Sequence, residues 1–213
     1  MQSTPLRGGA MREIDKALAD ILEIRSQIAA QTAFRGYGPV AIGITAVLGL
    51  VMAAAQSLWP IAPTPAAFII EWIAAAAVCV CVIRIEMQGR SRRLHSSLAD
   101  AMIHQAMEQF LPATAACVFL PILFLRFVPE AVWMVPGLWQ VFVSVGIFAS
   151  LRTLPKPMAL VGAWYFVAGF GCLLFASQTH ALSPWLMGLP FFGGQALMAA
   201  ILYYWVGEAD GED

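Results

Sequence analysis

Asp100, His104 and Glu108 recur at four-residue intervals, so on a helix they form one line, with a carboxylate one turn to either side of an imidazole. Flanking carboxylates favour the protonated imidazole, which would make the line a proton-responsive or metal-touched stripe on the cytoplasmic face and a candidate partner- or lipid-binding site. The plainer reading of the same spacing is the solvated edge of an amphipathic helix. Two further charges stand out because apolar sequence surrounds them. Glu71 and Arg126 each lie near one end of an apolar stretch, and a charge in such a place calls for a partner, so they are expected to form an intramembrane ion pair. Gln140 follows Pro136-Gly137 and Gln195 follows Pro190 and Gly193-Gly194. Transporters place substrates where interrupted helices expose backbone at mid-membrane, which makes these two amides candidate substrate contacts. Arg25 projects from an apolar helical stripe, and Arg35 precedes Gly36 and Gly38 at the edge of an apolar stretch. Each suits a lipid phosphate or an acidic partner group.

Metal and cofactor chemistry find little support. Cys79 and Cys81 are two residues apart and point to opposite sides of a helix, while Cys117 and Cys172 are isolated. His95 and His104 fall on opposite faces of their helix, and neither lies in an apolar stretch, so no pair is available for haem. No metal and no cofactor are expected. The phosphate-binding Gly-rich loop, the Gly-x-Ser-x-Gly elbow and His-Glu-x-x-His are all missing from the sequence. No catalytic residue is assigned, and the chain is expected not to be an enzyme.

The elements that must carry these residues follow from composition. Hydrophobic residues make up 60% of the 213 residues and charged residues 12%, against about 45–50% and about 25% in soluble domains. Lipid is the natural solvent for such a chain. Six stretches approach or exceed the roughly 20 apolar residues a crossing needs: 38–59, 66–85, 111–128, 131–151, 157–177 and 182–207. Backbone polar groups in lipid must be satisfied within the segment, and no alternating ten-residue strands occur, so the stretches are helices. Residues 1–35 are charged and lack an apolar core with a cleavage site, so the first crossing is expected to be its own insertion signal.

Orientation follows from the basic residues. Of the 12 Lys and Arg, all but Arg126 lie before the first crossing, at the end of the second (Arg84) or between it and the third, or between the fourth and fifth. The positive-inside rule then places both termini in the cytoplasm, in a plasma (inner) membrane. Trp59, Trp72, Trp133 and Trp185 fall near the outer ends, as an interfacial aromatic belt would.

Two segments outside the crossings have helical periodicity. In residues 11–33, Met11, Ile14, Leu18, Ile21, Leu22 and Ile28 form one stripe. In residues 92–110, Leu94, Leu98, Met102, Ile103, Met107 and Phe110 form a broad apolar face opposite the Asp100–His104–Glu108 line. The sequence therefore predicts an all-α polytopic membrane protein with six transmembrane helices and two cytoplasmic amphipathic helices. Its parts are residues 1–37 (amphipathic helix), 38–86 (two crossings), 87–110 (amphipathic helix), 111–207 (four crossings) and 208–213 (acidic tail). Near-neutral charge gives no reason to expect a nucleic-acid partner. The expected partners are membrane lipid and either a cytoplasmic protein or further copies of the chain. The leading expectation for function is a partner-docking or regulatory membrane subunit that works through the amphipathic helices. The alternative is a small transporter or channel using the broken helices that carry Gln140 and Gln195, and a membrane enzyme acting on lipid stands third.

Overall fold

The structure, a computed structural model, describes residues 16, 18–21, 24, 38–59, 64–94, 97–151 and 154–209, with side chains described except at 87–107 and 205–209. Every element among the described residues is helical: α1 (Pro39–Leu58), α2 (Pro65–Leu94), α3 (Ser97–Phe127), a 3-10 segment (Pro129–Met134), α4 (Val135–Ala149), α5 (Met158–Thr179) and α6 (Pro184–Ala209). Six of these segments are long and apolar enough to cross a membrane: Pro39–Leu58, Pro65–Glu86, Glu108–Phe127, Pro129–Ala149, Met158–Thr179 and Pro184–Tyr204. The molecule is an all-helical membrane protein, as composition required. Proline opens α1, α2 and α6, where the first-turn position needs no amide donor.

α2 and α3 extend well past their spanning portions. They have 30 and 31 residues, which is roughly 45 Å each against a hydrocarbon core of about 30 Å. Helix α3 runs from Ser97 to Phe127 without a break, so most of the segment expected as a separate helix over 92–110 is the first part of α3 itself. At the N-terminus, Lys16, Leu18–Ile21 and Ile24 have helical backbone, and Leu18, Ile21 and Ile24 are exposed.

The most extensive packing joins α1 to α6 and α4 to α5, with α5 also against α6. α2 leans on α1, α3 leans on α4, and the two touch each other along a shorter seam. Glycine makes the α4–α5 seam close. A Cβ on Gly137 would stand 2.8 Å from the Gly169 carbonyl oxygen, and a Cβ on Gly169 the same distance from that of Gly137. Two apolar clusters fill the bundle. Ala53, Phe68, Ile69, Trp72, Val132, Val135, Trp139 and Met187 fill the end that carries Trp59. Ile42, Met158, Val161, Tyr165 and Leu202 fill the opposite end. Thr45, Gln140 and Gln195 fall between the clusters along their helices.

Candidate functional site

The concentration of polar chemistry inside the bundle lies along α6, on either side of Pro190. Proline has no amide hydrogen, and its ring pushes away the carbonyl four residues earlier, here that of Leu186. An unpaired carbonyl in lipid costs several kcal/mol. The Cys172 thiol on α5 donates to the Leu186 oxygen at 3.4 Å. One residue on, the Met187 oxygen accepts from the Gln140 side-chain amide on α4 at 3.4 Å. The oxygen of Pro190 accepts from the Trp164 indole at 2.9 Å, and that of Phe191 from the Tyr165 hydroxyl at 3.4 Å. Four carbonyls around the break thus each receive a side-chain donor from a neighbouring helix.

Gly193 and Gly194 explain how the two aromatic donors reach this backbone. A Cβ on Gly193 would overlap the Trp164 ring, and one on Gly194 the Tyr165 ring. Tyr165 is 1% exposed and also accepts a hydrogen bond from the Gln195 side-chain amide at 3.3 Å. The Thr45 hydroxyl oxygen lies 2.8 Å from the Ile42 carbonyl oxygen and 3.3 Å from the Gln195 side-chain oxygen, and its single hydrogen is shared between these two acceptors. Gln195 therefore bridges α1 and α5 inside the protein. The Ser144 hydroxyl, buried on α4, donates to the Gly162 carbonyl at 2.8 Å.

A second proline follows the same rule. Pro121 in α3 deprives the Cys117 carbonyl of its donor, and the Trp139 indole on α4 supplies one at 2.6 Å. These Pro and Gly residues lie where neighbouring helices meet closely.

The other expected residues are distributed as follows. Glu71 is half-buried on α2 and accepts a hydrogen bond from the Gln56 side-chain amide on α1, while Gln56 Oε1 accepts from the Trp72 indole at 2.8 Å. Among the described residues no ion pair joins Glu71 to Arg126, which is exposed at the end of α3. Trp72, expected in the interfacial belt, is 5% exposed and belongs to the apolar cluster at this end. Glu108 is exposed on α3. Asp100 and His104 lie on the same helix, but their side chains are outside the described set, and Arg25 and Arg35 lie outside the described residues altogether. Sequence reasoning missed Gln56, Trp139, Trp164 and Tyr165. The available signal was that each can donate from within or beside a crossing, where a buried donor needs an acceptor.

No family model, no curated protein and no solved structure matches this chain. The reading of function therefore rests on the residues and their geometry.

Proposed function

We propose that the chain is a non-catalytic membrane subunit that docks or regulates a cytoplasmic protein through its N-terminal amphipathic segment, residues 11–33, and the charged first part of α3. In this reading both termini face the cytoplasm of a cell bounded by the inner membrane, because the basic residues flank the crossings on that side. The observation that carries the proposal is the saturation of the α6 break. The carbonyls of Leu186, Met187, Pro190 and Phe191 each have a donor from α4 or α5. A transporter of the broken-helix type would leave such oxygens to a substrate or ion. Here Gln140 and Gln195 spend their amides on the protein itself. That leaves the exposed apolar residues Leu18, Ile21 and Ile24, and the exposed charges Lys16, Asp20 and Glu108, as groups available to a water-soluble partner.

Purification in mild detergent tests the reading. Stoichiometric co-elution of a soluble protein that is lost on deleting residues 11–33 supports it. Solute uptake by vesicles containing the purified chain alone, abolished by Gln140→Leu or Gln195→Leu, would replace it with the transporter reading.

A further inference from the structure

α2 and α3 are the helices least covered by the rest of the chain. Only 22% and 11% of the residues in their spanning windows are buried, against 44% for the crossing that contains α4. Each also carries one charge toward the same end of the bundle. Glu71 is six residues into α2, roughly 9 Å along the axis from Pro65. Arg126 is one residue from the end of α3.

Among the described residues, neither charge is matched by an opposite charge. Glu71 accepts a hydrogen bond from the side-chain amide of Gln56, which is neutral and orients the carboxylate without cancelling its charge. Arg126 is exposed, and among the described residues no ion pair joins it to Glu71 or to Glu130, four residues later and also exposed. A carboxylate within a crossing, such as that of Glu71, is costly when its charge is uncompensated.

We infer that a second copy of this chain docks along the α2–α3 edge, with Arg126 of each copy paired to Glu71 of the other. A two-fold contact is isologous, so whatever one copy offers the other must accept. An edge bearing one negative and one positive charge toward the same end of the bundle meets that condition. Two ion pairs form, and both charges of both copies are matched. The exposed face of α2 carries Ala74, Ala77 and Cys81, whose small side chains let a neighbouring helix come close. A lipid phosphate could neutralise Arg126 but would leave Glu71 unmatched, whereas a second copy serves both.

The test is the oligomeric state of the purified full chain in phospholipid vesicles, read by single-molecule photobleaching across a range of protein-to-lipid ratios. The wild type should be dimeric. Glu71→Arg alone and Arg126→Glu alone each place like charges at both contacts, and each should weaken dimerisation by about tenfold or more, equivalent to at least ~1.4 kcal/mol. Mixing these two variants, labelled in different colours, should restore dimers that contain one of each, because both contacts then join opposite charges. The milder variants Glu71→Gln and Arg126→Gln should weaken dimerisation without repulsion, and they cover the case in which a charge reversal fails to fold. A monomeric wild type, variants that dimerise as well as wild type, or no recovery on mixing would each overturn the inference. So would an Arg126→Gln change that lowers binding to anionic vesicles while leaving the oligomeric state unchanged. The measurement uses the chain alone, so its failure would leave the cytoplasmic docking reading untouched.

Discussion

The indole N–H of Trp139 donates to the carbonyl oxygen of Cys117 at 2.6 Å, and Cys117 is the residue whose helical donor Pro121 removes. Proline and tryptophan lie on different helices, and together they complete one hydrogen bond that neither helix could make alone. The same relationship recurs where the Cys172 thiol meets the Leu186 carbonyl that Pro190 leaves open.

This relationship predicts a coupled pair of substitutions. Trp139→Phe leaves the Cys117 oxygen without a donor and should destabilise the protein by about 1–3 kcal/mol. Pro121→Ala returns a backbone N–H to that oxygen. In the Trp139→Phe background it should recover part of the loss, and by more than it gains in the wild type. Thermal unfolding of the four proteins in one detergent completes the cycle. Simple additivity would mean that the two residues do not share the carbonyl.

Glycine positions offer a second check on the packing. Gly194→Ala would drive a methyl group into the Tyr165 ring, and Gly137→Ala would press one against the backbone of Gly169. Overpacking of this kind costs about 1–3 kcal/mol. Gly171→Ala meets nothing within 4 Å and sits in the middle of α5. It should be neutral or slightly stabilising, by at most about 1 kcal/mol. A thermal-shift series that failed to separate these variants would contradict the helix–helix seams described above.

Gln140→Leu and Gln195→Leu are expected to act on stability and leave partner binding alone. Each removes a side-chain bond between helices, worth on average about 0.6 kcal/mol in a membrane protein. The melting temperature should fall modestly, and co-elution of a docked protein should not change. Loss of binding at unchanged stability would show that these amides face a ligand.

Topology can be read directly. With the basic segments inside, a reporter fused after Trp59 or after His180 should be active only on the outer side of the membrane, and one fused after Glu86 only in the cytosol. Reversed signals would move the amphipathic segments away from any cytoplasmic partner.

Local composition alone determined that the described chain is helical, with six helices long and apolar enough to cross a membrane. The expected crossings agree with the observed helices to within a few residues, 38–59 against Pro39–Leu58 and 157–177 against Met158–Thr179. Burying an unpaired backbone in lipid costs so much that an apolar stretch of sufficient length has almost no alternative. The same reasoning placed a stop between the 92–110 segment and the third crossing, where α3 in fact continues, because a change from amphipathic to apolar sequence alters a helix's surroundings without interrupting its hydrogen bonds.

Only the tertiary structure decided what the polar residues do. Pro190, Gly193 and Gln195 are compatible in sequence with a substrate cradle or a packing seam, and only the fold shows that Cys172, Trp164 and Tyr165 on another helix reach the carbonyls around Pro190. Sequence spacing fixes neighbours one turn apart, whereas a donor and acceptor 26 residues apart, such as Trp164 and Pro190, meet only when two helices pack at one particular depth and rotation. The same holds for Glu71, expected to pair with Arg126: among the described residues the fold supplies the Gln56 amide and leaves Arg126 exposed.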